Sequence, residues 1–314
     1  LMIFSSLPFK LRKLLPLLGI ALFIVSVAVL IREIGRYTIS DIADKIGAIP
    51  LSRFMMAVVF TFLAYANLTL YDLISSLHLG VKKGYGRTAL VSFIAYTFSK
   101  NIGFTFLSGT SVRFRMYGKW KVGSGKILGI IVLNYLTFWL GFFALAGVVF
   151  TLWYPLTQAV IRVPFNSLQI LGAVAIAIYC LYLFIVIIRK KPFRFRNLRF
   201  SLPGKTFTLS QTAISTMDWL LSAGVLYFLL PPVQYIPILA VFLLSQFAGL
   251  SSQVPGGLGV FEAMTLVILS PSLEADVLIA ALLLYRVIFY LIPFLVALIL
   301  FALEEFLWSR PARQ

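Results

Sequence analysis

Long uninterrupted apolar runs separated by short polar loops dominate the chain. Runs long enough to cross a bilayer occupy 14–31, 51–77, 127–153, 168–188, 207–230 and 277–303. Each predicts a spanning helix, because about 20 apolar residues rising ~1.5 Å apiece cover a hydrocarbon core of roughly 30 Å. Two further apolar stretches, 88–112 and 237–270, are interrupted by polar and flexible residues. Short segments alternating apolar and polar, which a membrane barrel requires, do not dominate. The expected fold is an all-α polytopic membrane protein, with 1–314 as a single membrane domain.

Charge placement predicts how the runs are threaded. Lys and Arg collect in cytoplasmic loops, and the N-terminal segment carries Lys10, Arg12 and Lys13. The first run therefore leads outward, as a spanning helix rather than a cleavable signal, and 51–77 returns. Basic loops flank 88–112 on both sides, with Lys82, Lys83 and Arg87 before it and Arg113, Arg115, Lys119, Lys121 and Lys126 after it. That stretch is expected to enter and leave on one side as a re-entrant hairpin. Helix 127–153 exits beside Trp153 and Tyr154, and 168–188 returns to the basic loop 189–205. Helix 207–230 then leads out, 237–270 forms a second hairpin ending near Glu274 and Asp276, and 277–303 runs inward to Arg310 and Arg313. Both termini are expected in the cytoplasm.

This order forms two units of opposite orientation, 14–153 and 168–303. Asp72 precedes Gly109 by 37 residues, and Asp218 precedes Gly256 by 38. An inverted repeat whose broken segments meet near the bilayer midplane is a transporter architecture.

Composition excludes other classes. The apolar fraction is 61%, the charged fraction 12% and the mean hydropathy +1.00, outside the range of soluble domains. The net charge of +17 follows from basic loops, so nucleic acid is not an expected partner. The single cysteine, Cys180, excludes an internal disulfide, and the single histidine, His78, reads as a solvated interface residue. No nucleophile elbow, zinc pattern or carboxylate cluster occurs. Residues 118–126 resemble a phosphate loop but place Ser124 where lysine is needed. Neither an enzyme nor a cofactor is expected.

The candidate chemistry lies in charges that hydrocarbon should exclude. Asp218 sits inside 207–230 and Arg286 inside 277–303, the latter about ten residues, or roughly 15 Å, into its helix. Intramembrane charges face a partner, a water-filled cavity or a substrate path. In the second hairpin, Pro255 removes a backbone donor and Gly256, Gly257 and Gly259 permit positive φ, so the helix should break and its free amides offer an anion site. Glu262 follows in a dry setting where it either pairs or protonates. Arg286 has Glu262, Asp218 or a lipid phosphate as companions. The first hairpin offers Arg113 and Arg115, whose guanidinium forks suit phosphate, with Arg115 equally readable as an anchor to anionic lipid. Asp72 and Pro255 read as gating or structural.

Four motifs occur in order: Tyr71-Asp72-Leu73, FTFLSGTSVRFRMY (104–117), GLSSQVPGGLGVFE (249–262) and LYRVIFYLIP (284–293). Together they resemble the membrane region of bacterial lysylphosphatidylglycerol synthases, the multiple peptide resistance factors, and equally the stand-alone YbhN-like inner-membrane proteins sharing it. In the larger members this region moves lysylphosphatidylglycerol between leaflets, and a separate soluble domain makes that lipid. Only eleven residues follow the last run here. The resemblance thus implies a lipid translocator of the bacterial inner membrane without synthase activity, whose partner is an anionic or aminoacylated phospholipid. A homo-oligomer and a separate lipid-synthesising enzyme are further partners it admits. On this reading Arg113 and Arg286 hold phosphate in a cleft between the hairpins, while Asp218 and Glu262 balance charge or take a cationic headgroup. The alternatives are a polyprenyl-phosphate translocator and a non-transporting scaffold for a lipid-modifying enzyme.

Overall fold

Five of the six expected spans are helices in the computed structural model, which describes residues 38–102, 105–152, 167–188, 193–195, 198–200, 203–252 and 254–309. They are α2 (Leu51–His78), α5 (Ser124–Leu152), α6 (Ser167–Ile188), α7 (Lys205–Leu229) and the pair α10 (Ala275–Arg286) and α11 (Ile292–Ser309). The run 14–31, the pair Trp153 and Tyr154, and the C-terminal Arg310 and Arg313 lie outside the described residues. The protein is a polytopic all-α membrane protein.

Both interrupted stretches are helical hairpins. The first comprises α3 (Tyr85–Ile102) and α4 (Thr105–Lys119), and the second α8 (Tyr235–Ser251) and α9 (Val260–Leu269). Within each, the two helices pack on one another. Gly109 of α4 lies against Ser99 and Ala95 of α3, so the arms run antiparallel about their break. In the second hairpin Thr265 Oγ1 meets Ser245 Oγ at 3.1 Å, in the same sense. At the open end of the first hairpin, the Arg87 guanidinium lies 5.5 Å from the Trp120 ring centre, which brings both basic flanks to one face.

The long C-terminal span bends where its sequence demands. Pro293 has no amide to donate to the carbonyl four residues earlier, and its ring crowds that carbonyl. The chain answers with a π turn over Val287–Leu291, and the Tyr65 hydroxyl donates to the freed Phe289 carbonyl at 2.8 Å. Polar side chains re-satisfying a broken helix are what hydrocarbon requires.

The core is the crossing of α2, α5 and α7, with α6 packed on α5. Small residues allow the approach. A Cβ on Gly141 would fall 2.5 Å from the backbone of Ser215, and one on Gly224 would fall 2.4 Å from the Phe60 ring. Membrane helices associate through such close packing, since hydrocarbon supplies no hydrophobic drive between them. By contrast α6 presents Ile170, Val174, Leu181 and Phe184 outward, as a lipid-facing helix should.

Two elements were not anticipated. The loop between the first two runs holds an amphipathic helix, α1 (Ile39–Gly47), packed on α10. Its Lys45 Nζ pairs with Glu274 Oε2 at 2.9 Å and Asp276 Oδ2 at 3.2 Å, and these carboxylates raise the ammonium pKa. The basic loop 189–205 holds two antiparallel three-residue strands, β1 (Phe193–Phe195) and β2 (Leu198–Phe200).

Ion pairs join segments that the charge pattern assigns to the same face. Lys45 joins two loops expected on the outer face. Arg115 and Lys119, at the end of α4, join Glu305 near the end of α11, both expected on the inner face.

Candidate functional site

The turn of the second hairpin is built from its sequence as expected, but its charged neighbours serve the turn itself. Pro255 opens a short 3₁₀ turn, and Gly256, Gly257 and Gly259 take φ of 60°, 61° and 82°, which L side chains avoid. Glu262 Oε2 accepts from the Gly259 amide at 2.8 Å. Its other oxygen pairs with Arg286 Nε, while Arg286 Nη1 donates to the Gly256 carbonyl at 2.8 Å. The guanidinium also lies 4.5 Å from the Tyr290 ring centre. Of the companions open to Arg286, the structure selects Glu262. The two form a strap across the turn and do not line the cavity described below. Arg286→Gln, leaving Glu262 without its cation, is expected to lower stability by about 1–3 kcal/mol. Thermal unfolding in detergent checks this, and an unchanged melting temperature would show that the strap holds nothing.

Asp72 and Arg113 are likewise brought together. Arg113 Nη2 reaches Asp72 Oδ2 at 2.7 Å, and its Nε reaches Oδ1 at 3.0 Å. Tyr117 and Asn134 also donate to this carboxylate, at 3.2 and 3.0 Å, and Ser75 donates to Asn134 at 2.7 Å. The Asp72 carboxylate is fully buried with four donors around it, so α2, α4 and α5 are tied at one polar knot. Arg113 borders the cavity, yet its fork is engaged by Asp72 where a phosphate contact was expected. Arg115 is displaced further, lying on the surface in a forked pair with Glu305 at 3.1 and 3.0 Å and away from the cavity.

The two hairpins meet at their breaks. A Cβ on Gly256 would fall 2.8 Å from the Lys100 carbonyl, so the second turn lies directly against the end of α3. Asn101 of α3 also donates to the Tyr290 carbonyl in the π turn, at 3.4 Å. Beside this junction is a cavity of about 340 Å³, bounded by both hairpins, α5, α7 and the π turn. Small-ligand sites start near 300 Å³. Its walls are aromatic, with Phe138, Trp139, Trp219, Phe242 and Phe289, and its polar groups include Ser222 and Gln246. Gly256 and Gly257 line it through the turn backbone.

Asp218 of α7 faces this cavity from a buried position. Its Oδ2 accepts weakly from the Tyr71 hydroxyl at 3.4 Å, and its Oδ1 has no hydrogen-bond partner. Besides Arg113, the cation sharing the cavity is Lys100, not among the ligand candidates read from the sequence. Its Nζ lies 4.3 and 5.0 Å from the ring centres of Phe289 and Tyr65, with no ion pair among the described residues. The criterion that identified Asp218 applies to Lys100 too, since it is the one charge in the apolar arm of α3 after Arg87. Its place within a basic-flanked hairpin obscured it. Among the described residues no cluster of metal-ligating side chains occurs.

Comparison with known proteins follows the same outline. Residues 17–297 match the family described as the lysylphosphatidylglycerol synthase TM region. The uncharacterized protein slr0712 of Synechocystis sp. is 32% identical over 288 residues, covering 90% of this chain and 89% of that protein. The inner membrane protein YbhN of Escherichia coli is 30% identical over 303 residues, covering 94% and 92%. The phosphatidylglycerol lysyltransferase of Staphylococcus aureus is 27% identical over 296 residues, which is 90% of this chain but 33% of that enzyme.

Proposed function

Because the chain belongs to the lysylphosphatidylglycerol synthase TM-region family, we propose that it moves a phospholipid between the leaflets of a bacterial inner membrane, without synthesising it. The observation carrying this reading is the cavity at the hairpin junction, where a carboxylate with one oxygen unpartnered and an ammonium without an ion pair among the described residues sit among aromatic walls inside a bundle of membrane helices. Buried charges without partners are costly in hydrocarbon, and a site retaining them is expected to exchange them with a ligand. The acyl chains stay in the bilayer while the headgroup uses the cavity, which removes the main barrier to crossing.

The repeat of elements supports an alternating mechanism. A helix, a second helix, a helical hairpin and a long helix follow one another in 167–309, and the same order runs through 51–152 from α2 onward. Along the α2–α7 crossing, Arg53 meets Phe228, Asn67 meets Ile214 and His78 meets Phe207, so the two helices run antiparallel. Antiparallel packing of corresponding helices is expected where two related units face each other across a pseudo-two-fold axis in the membrane plane. In this proposal the units are inverted, the termini are cytoplasmic, and rocking one unit on the other exposes the cavity to each leaflet in turn.

The test is leaflet exchange of acyl-labelled phosphatidylglycerol and phosphatidylethanolamine in proteoliposomes containing only this chain. Accelerated exchange is expected for the wild type and not for Ser222→Trp, which fills the cavity. A folded wild type that accelerates neither lipid overturns the reading.

A further inference from the structure

Lys100 and Asp218 stand apart from every other buried charge described in the membrane region. Asp72 is matched with Arg113, and Glu262 with Arg286, each within one hydrogen-bond length. Lys100 and Asp218 face the same cavity without pairing, one carboxylate oxygen having no partner and the ammonium lying against aromatic faces with no ion pair among the described residues. An ammonium on ring faces keeps its donors available to an oxyanion. A carboxylate oxygen in a dry cavity is an acceptor awaiting a cation or a donor. The cavity is thus electrically bipolar, with fixed charges of both signs held apart by the packing of α3 against the π turn and of α7 against α2.

We propose that this couple reads a headgroup bearing both a phosphate and an ammonium, with Lys100 Nζ taking the phosphate and Asp218 Oδ1 taking the ammonium. The assignment rests on the cavity being a lipid headgroup site. A headgroup with only a phosphate satisfies Lys100 and leaves Asp218 repelling it across an apolar gap. A headgroup carrying both charges satisfies each at once, and the Trp219 and Trp139 rings give its ammonium further cation–π faces. Arg113 and Arg286 already have counter-charges in Asp72 and Glu262, which leaves Lys100 as the cavity's cation without one among the described residues. Lys100 and Asp218 are therefore the specificity-determining residues, and phosphatidylethanolamine, with one charge of each sign, is the simplest lipid that fits.

Trp139 and Trp219 both line the cavity, so a change in tryptophan fluorescence, weakened by Trp139→Phe, is the expected readout of its occupancy. The full chain in detergent is titrated with dihexanoyl phosphatidylethanolamine, dihexanoyl phosphatidylglycerol and free phosphoethanolamine. The wild type is expected to bind the ethanolamine lipid about tenfold more tightly than the glycerol lipid, the scale of one charge-assisted contact. Asp218→Asn is expected to bring that ratio close to one, and Lys100→Met to weaken both lipids about tenfold. Asp218→Glu and Lys100→Arg, which keep the charges, should retain the preference and guard against loss through misfolding. Equal binding of both lipids by the wild type overturns the assignment, as does a ratio that Asp218→Asn leaves unchanged. Free phosphoethanolamine binding as tightly as the lipid would make the ligand a soluble one. Preferential binding without leaflet exchange in proteoliposomes would retain the headgroup assignment and overturn translocation instead.

Discussion

Arg113→Met is expected to destabilise the protein by about 3–5 kcal/mol, enough to lower its melting temperature in detergent markedly. Asp72 is fully buried, and Arg113 supplies its shortest hydrogen bond besides its counter-charge. Tyr117 and Asn134 remain in the variant, but neutral donors stabilise a carboxylate less than a guanidinium fork does. The uncompensated charge, more than the lost contact, sets the size of the effect. Removing the charge as well should therefore recover much of the loss. The double variant Asp72→Asn, Arg113→Met is expected to melt above Arg113→Met alone. If Arg113→Met is as stable as the wild type, the knot joining α2, α4 and α5 is not structural, and Arg113 returns as a candidate for phosphate.

Gly256→Val is expected to cost about 3 kcal/mol or more and to open the junction of the hairpins. Two physical effects add. The backbone at Gly256 has φ 60°, where a β-branched residue is strained. Its new Cβ would also fall 2.8 Å from the Lys100 carbonyl and 3.4 Å from Arg286 Nη1. The nearer atom belongs to the backbone of α3 and cannot swing aside, so the tips must separate. Gly249→Ala is the matched control, because its Cβ would meet Gly257 Cα at 3.4 Å, a contact that needs little adjustment. Urea unfolding of both variants in detergent should show a large loss for Gly256→Val and a change within about 1 kcal/mol for Gly249→Ala. Equal losses would mean that the junction tolerates side chains and that the tips are not locked together.

The lipid-facing helices, the two hairpins and their break points were legible in the chain. Their causes are local or set by the bilayer: apolar length for the spans, and Pro255 and the glycines for the second break. The disturbance at Pro293 was not read from the sequence, where 277–303 is one span, and the Tyr65 hydroxyl that relieves it comes from 224 residues earlier. The candidate charges were legible as charges only. Asp72 was read as gating or structural and Arg113 as a phosphate ligand, and they are partners 41 residues apart. Arg286 had three possible companions in the sequence, and packing gave it the one 24 residues before it.

What the sequence determined by itself is therefore where the chain must cross, where it must break, and which residues carry a charge too costly to leave unmatched. Hydrophobic length, a missing amide and a positive φ act within a few residues and need no knowledge of neighbours. Only the tertiary structure decided which charges cancel and which stay open to a ligand. An ion pair forms or fails over an ångström or two between helices distant in sequence, and that separation is set by side-chain packing across the whole bundle. Lys100 and Asp218 remain unpaired for this reason, and only the folded chain could distinguish them from Asp72, Arg113, Glu262 and Arg286.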